Sequence, residues 1–274
     1  MFSENLTSYF HKDTASPRTY ITNAPSTATV FLRSVVEICD SVTHCERALE
    51  NNGDKAMIEK SSESLRVFVM AAFAMLMSNF EVFQKQQFAE LVDSNDFMDG
   101  FDDIELAKRL EKEGCTITLY RILAAGGVPR EPGQIVADSL ASWHNPSRVN
   151  QYFQIVFPKI NIYSNSAIAE LELMWQLRHS IVHTGGTITR EDAAKVSSLR
   201  RFSDRKLVLE GSFILEVGRR LHVIVKQASA ILERELRKRF IRQEGESDAE
   251  VDEIIKEIVG CTSPVPSWFE IKTS

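Results

Sequence analysis

The sequence predicts a mainly α fold, a helical bundle with a small β-hairpin. Three observations carry the expectation. Glycine (12) and proline (8) are scarce in 274 residues, so few positions interrupt a helix. From about Ala56 to Val92, the residues Leu65, Phe68, Val69, Ala72, Phe73, Leu76, Phe80, Phe83 and Phe88 recur mostly at three- and four-residue steps, which builds one long amphipathic helix. Cap and stop residues also bracket the remaining apolar segments.

The elements follow in order. A first helix starts at the Ser26/Thr27 caps and ends at Asn51-Asn52-Gly53. The long helix over 56–92 comes next. Short helices are expected over Ile104–Lys112, Ile117–Ala125 and Gln134–Trp143, with breaks at Gly126-Gly127-Val128-Pro129 and Glu131-Pro132-Gly133. Asn145-Pro146-Ser147 opens a helix through Phe157, Pro146 suiting its first position. Ser164 or Ser166 caps a helix to about Val182, which Gly185-Gly186 stops. Glu191-Asp192 reads as an acidic helix start. Lys206–Glu210 and Ser212–Val217 are expected to form the hairpin about Glu210-Gly211. A final long helix covers about Glu216–Gln243. The chain divides into a flexible N-terminal arm (1–26), a helical domain (27–243) and an acidic C-terminal extension (244–274).

Composition excludes several classes. Apolar residues are 43% and charged residues 26%, ordinary for a globular chain and unlike a disordered, collagenous or coiled-coil one. The formal charge is -6, so nucleic-acid binding requires a local basic patch. Cys39, Cys45, Cys115 and Cys261 form no C-x-x-C pair, which argues against a zinc ribbon. The first ten residues lack the basic and apolar regions of a secretory signal. The longest apolar run, Val67–Met77, is about half the roughly 20 residues of a spanning helix. A cytoplasmic protein with reduced thiols and no membrane association is expected.

The segment Arg178–His183 stands out. With Arg178 at zero on a helical wheel, Ala167, Leu171, Met174, Trp175, Ile181 and Val182 all fall within about 60°. A guanidinium inside an apolar stripe must be paired or face a wet cleft. Pairing with Glu81 on the long helix is the plain structural reading. A local chemical reading starts from the string LRHSIVHTGG.

Arg178, four residues and His183 resemble the R-x4-6-H signature of the HEPN superfamily, many of whose members are metal-independent ribonucleases. Leu171, Met174 and Leu177 before the motif, and Gly185-Gly186 after it, fit the same pattern. FAMLMSNFEVFQKQQFAELV resembles the long helix that packs on the motif helix in these proteins. HNPSRVNQYFQIVF, some twenty residues upstream of the motif, is similar to prokaryotic HEPN proteins related to RiboL-PSP-associated domains. The resemblance covers about residues 30–240 and implies a HEPN-type bundle, a homodimer with a site built across its interface, and a toxin or phage-defence setting. RNA is then the expected substrate, a protein inhibitor a further expected partner, and no cofactor is needed. The alternative is a HEPN scaffold that binds RNA, nucleotide or a protein without cleaving.

The residues suit that chemistry. RNA cleaves itself when its 2′-hydroxyl attacks the adjacent phosphate. Histidine, with an ordinary pKa of about 6.5, can carry the proton, and arginine offers a fixed fork of donors to phosphate oxygens. His183 is the expected general base, Arg178 the phosphate clamp, and His179 a positioning or phosphate-contacting group. Ser180, Thr184 and Glu81 are lesser candidates, Glu81 as an orienter of Arg178. Residues five apart lie about 140° apart on a regular helix, so Arg178 and His183 share a face only if the last turn loosens or two copies combine. His183 could instead merely favour the helix C-terminus as a cation. His179 and His183 also have the spacing of two metal ligands, but no H-E-x-x-H and no third ligand is evident, so no metal is expected. His11, His44, His144 and His222 lack partner patterns and read as structural. Gly126-Gly127 lacks the Lys-Ser/Thr of a phosphate loop.

Positive charge is concentrated late. Arg190–Arg242 holds 14 Lys and Arg against 7 Asp and Glu, while Glu244–Glu257 holds 7 acids and 1 Lys. The basic stretch reads equally as an RNA surface or as a solvated face paired with its own acids. The acidic stretch either covers that surface or solvates the tail.

Overall fold

The periodic apolar run becomes one central helix, and the other elements are arranged around it. The computed structural model describes residues 26–50, 55–118, 132–242 and 247–262. Helix α1 (Thr27–Glu50) begins where Ser26 Oγ accepts from the Thr29 backbone N–H at 3.2 Å. Helix α2 (Lys55–Asp93) buries Val69, Ala72, Phe73, Leu76, Met77, Phe80 and Phe83. Phe31 of α1 packs on Phe80 and Phe83, ring centroids 5.4 and 5.3 Å apart. Burying one such ring stabilises by about 1.5–3 kcal/mol. Residues Ser62–Asp93 are long and apolar enough to cross a membrane by length and composition alone, a property that core helices share.

Helix α3 (Asp103–Lys112) is capped by Asp102, which accepts from Ile104 and Glu105 N–H groups. Helix α4 (Pro132–Ser139) lies against α2 through a close backbone approach: a Cβ on Gly133 would stand 2.2 Å from the Ala89 carbonyl oxygen. The Glu131-Pro132-Gly133 signal therefore starts a helix rather than breaking one. This helix ends at Ser139, short of the expected Trp143. Ser142 there has φ +65°, which ends α-helical geometry, and Trp143 packs against Phe88 instead. Helix α5 (Pro146–Val156) has Asn145 as cap and proline in its first turn. Asn150 then clamps Tyr163 by two 2.9 Å bonds, to its carbonyl and from its N–H, which fixes the start of α6 (Asn165–Thr184).

After α6 come strand β1 (Thr187–Ile188), helix α7 (Arg190–Lys195), a 3₁₀ turn over Ser197–Phe202 and strand β2 (Arg205–Lys206). β1 and β2 are antiparallel, Thr187 opposite Lys206 and Ile188 opposite Arg205. The small sheet is present, but not where the sequence places it. Helix α8 (Gly211–Arg239) starts at Gly211, so Ser212–Val217 is helical. The run Ile214, Val217, Leu221, Ile224, Val225, Ala228, Leu232 and Leu236 is buried along one face; its helical period overrides the local β propensity of Phe213–Val217. Gly211 N–H donates to Glu46 Oε1 at 2.9 Å, which ties the start of α8 to α1.

The acidic segment forms α9 (Asp248–Val259), opened by a capping box of Ser247 and Glu250. Val251, Ile255 and Val259 are buried, so α9 packs into the bundle, while Asp252 pairs with Arg237 and Asp248 with Arg242. Residues 1–25, the Asn51–Gly53 stop and most of the expected 117–125 helix lie outside the described residues.

Candidate functional site

Helix α6 carries the motif. Its first half is anchored: Ala167, Leu171, Met174 and Trp175 are buried, and Trp175 lies 6.4 Å from Phe80 of α2. Its N-terminus is set by Ser164, whose hydroxyl accepts from Ala167 N–H. Its C-terminus is set by Gly185, which adopts φ +62° and closes the helix by a bond to the Ser180 carbonyl. A Cβ on Gly186 would meet Met70 of α2 at 3.3 Å.

The helix stays regular through His183 and ends only after Thr184. Within one chain Arg178 and His183 therefore point about 140° apart. What the helix does bring together is His179 and His183, one turn apart, with ring centroids 4.6 Å apart. His183 is exposed and His179 half-buried.

A buried carboxylate stands behind them. Asp192, 3% exposed, lies in the first turn of α7. Its Oδ2 accepts from Ser180 Oγ at 3.2 Å, and its Oδ1 accepts from Lys195 Nζ at 3.2 Å. His179 Nε2 is 3.7 Å from the same Oδ1. Burial raises the Asp192 pKa, but hydrogen bonds from Lys195, Thr189 and Ser180 together with the Lys195 charge lower it further, so the group is held below its ordinary range. His179 is pushed below its ordinary value. Burial contributes most; Asp192 opposes, while His183, Lys195 and Arg178 add to the lowering. A neutral His179 beside an ionised Asp192 is the state at neutral pH.

The expected site residues therefore separate. Arg178, His179 and His183 share the last two turns of α6. Arg178 has its Nε buried without a hydrogen-bond partner. Glu81 does not orient it: Glu81 pairs with Lys85 at 2.8 Å, four residues along its own helix. Ser180 is fully buried and its hydroxyl is used on Asp192. Thr184 Oγ1 contacts the Ser180 and Thr187 carbonyls at 2.7 and 2.6 Å, which fastens β1 to the helix end. No cluster of three or more His, Cys, Asp or Glu suited to a metal occurs among the described residues.

Asp192 and Lys195 are the functional neighbours that sequence reasoning missed. The signal was Thr189 followed three residues later by Asp192, a cap pattern that places the acid in a first helical turn. That this turn folds back against His179 depends on the β1–β2 pairing, which nothing local announces. No protein-family model, curated protein or solved structure matches this chain. Fold and site define the class by themselves: a mainly α bundle with a two-stranded sheet and a histidine pair at the end of one buried helix.

Proposed function

We propose that this chain is a HEPN-type, metal-independent endoribonuclease of toxin or phage-defence type, acting as a homodimer in the cytoplasm. The observation that carries the reading is the His179–His183 pair beside Arg178, with Asp192 behind it. His183, exposed at the helix end, takes the 2′-hydroxyl proton. His179, held below its ordinary pKa, stands beside it with the ring centroids 4.6 Å apart. Arg178 supplies fixed positive charge to the phosphorane oxygens. Ser180 and Thr184 hold the scaffold of the pair rather than the RNA.

The divergence of Arg178 and His183 is met by a second copy, whose motif helix brings the missing direction to one cleft. Exposed apolar side chains support that reading: Val67, Phe68, Met75 and Val82 on α2 and Val182 on α6. Phe68, Met75 and Val82 are spaced by seven, the spacing of a helix–helix seam.

The test is RNA incubated with the protein in excess EDTA, with product ends analysed. Attack by the RNA's own hydroxyl leaves 2′,3′-cyclic phosphate ends with chelator present. Activity lost to chelator and restored by a divalent ion transfers His179 and His183 to a metal site. Binding without cleavage by the wild type leaves the scaffold reading in its place.

A further inference from the structure

The two halves of the basic stretch behave differently. On α8 and just beyond it most cations are matched by acids, Lys226 and Arg239 excepted among the described residues. Arg219 and Arg220 pair with Glu216, and Arg220 also with Glu170 at 3.2 Å. Arg237 pairs with Glu233 and Asp252, Lys238 with Glu235, and Arg242 with Asp248. Between β1 and β2 two of the three acids are already used: Asp192 is buried on Ser180 and Lys195, and Asp204 holds Arg190 at 2.9 Å, while Glu191 is exposed and pairs with none of the cations among the described residues. Arg200, Arg201, Arg205 and Lys206 are exposed, and none has an acidic partner among the described residues.

We propose that Arg200, Arg201, Arg205 and Lys206 form the surface that receives the phosphate backbone of single-stranded RNA and leads it to the histidine pair. As a route to that pair, the proposal rests on the ribonuclease reading. The four cations sit on a braced support. Leu199 and Ile188 are buried beneath the 3₁₀ turn and β1. Asp204 N–H donates to the Ile188 carbonyl at 2.7 Å and Leu207 N–H to Gly186 at 2.8 Å. Arg201 lies over the Phe202 ring, 4.8 Å from its centroid. The surface is also continuous with the site. Lys206 stands opposite Thr187, and Thr187 is tied to Thr184, the residue after His183. Lys195 shares Asp192 with His179.

Charge decides the class of partner. A protein interface centres on apolar and aromatic side chains. Residues 190–207 expose no large apolar side chain, and Val208 beyond them is exposed singly rather than as part of an apolar patch. Four uncompensated cations on a fixed support are instead what a polyanionic backbone requires, because each contact releases a bound counterion.

Binding of a labelled single-stranded RNA oligonucleotide to the full chain, measured by fluorescence anisotropy across a salt series, tests the surface. His183→Ala is the background, so that RNA stays intact. The fourfold variant Arg200→Gln/Arg201→Gln/Arg205→Gln/Lys206→Gln is compared with Arg234→Gln/Lys238→Gln/Arg242→Gln. The first should weaken binding by at least about ten-fold near 0.1 M salt and flatten the slope of log K against log salt by about 0.7 per lost phosphate contact. The second should stay within about two-fold, its cations being already neutralised. Equal losses in both variants, or wild-type affinity in the first, overturn the proposal. So does a first variant that keeps RNA but loses polyglutamate, which would assign the surface to an acidic protein. Cleavage is scored in parallel with His183 intact. A wild type that binds through the four cations but cleaves nothing sinks the catalytic reading alone. Wild-type kcat/KM in the fourfold variant sinks the surface alone.

Discussion

At the residue scale, Asp192 is one of the groups that set the ionisation of His179, burial being the largest. Asp192 favours the charged imidazole, while burial, His183, Lys195 and Arg178 oppose it. Asp192→Asn should therefore move the His179 titration further below its ordinary 6.5, and Lys195→Met should move it up. Histidine ring resonances followed by NMR across pH check both directions. Unchanged titration in the two variants would remove Asp192 from the site. Stability carries the same sign. His179, and His222 under burial and the Lys226 charge, are both held below 6.5 when folded. Between the folded and unfolded values the native chain binds fewer protons than the unfolded one. Stability attributable to these two groups is thus constant above about pH 6.5 and falls as pH drops below it. Chemical denaturation at a series of pH values should show that slope reduced in His222→Gln.

The motif residues were legible in the sequence because a helical wheel needs only spacing, and Gly185-Gly186 marked the helix end. Glu81 was misplaced for a physical reason. Its stripe position put it near Arg178, yet Lys85 lies one turn along the same helix and takes its carboxylate at 2.8 Å. Local i,i+4 geometry was available before any tertiary contact.

At the scale of elements, periodicity governs what could be read. α1, α2, α5 and α6 agree with their caps and apolar spacing, whereas the Phe213–Val217 stretch was ambiguous over its five residues and resolved only by the apolar period continuing to Leu236. Gly133 teaches the complementary point. A glycine beside proline reads as a breaker, but here it allows α4 to approach α2, with a would-be Cβ 2.2 Å from Ala89 O and 2.8 Å from its carbonyl carbon. Backbone cannot yield as a side-chain tip does. Gly133→Ala should destabilise the chain by about 1–3 kcal/mol, read as a lowered denaturation midpoint. A midpoint equal to wild type would show that α4 is not seated on α2. At α9, Ser247→Ala removes the capping hydroxyl and should cost about 0.5–2 kcal/mol. Because the side chain of Glu250 also bonds to the Ser247 N–H at 2.8 Å, the loss should be smaller than for the double variant with Glu250→Ala.

For the whole molecule, a formal charge of -6 conceals a divided surface. Acids of α6, α8 and α9 neutralise most cations of α8, whereas Arg200, Arg201, Arg205 and Lys206 are exposed with no acidic partner among the described residues. The proposed dimer belongs to this scale. Val67, Phe68, Met75, Val82 and Val182 are exposed, and a second copy would cover them. Light scattering of the full chain at micromolar concentration should give the mass of two chains. Met75→Glu/Val82→Glu should give the mass of one with an unchanged helical spectrum, and a wild-type monomer would count against a composite site. The most direct measurement of the central claim is the turnover of cellular RNA by wild type and His183→Ala, at equal melting temperature and equal mass. Removing a proton-transfer group typically costs about 10²–10⁴-fold, so the variant should bind RNA as before and cleave it slower by at least that range. Equal cleavage by the two proteins would contradict the assignment of His183 as the base.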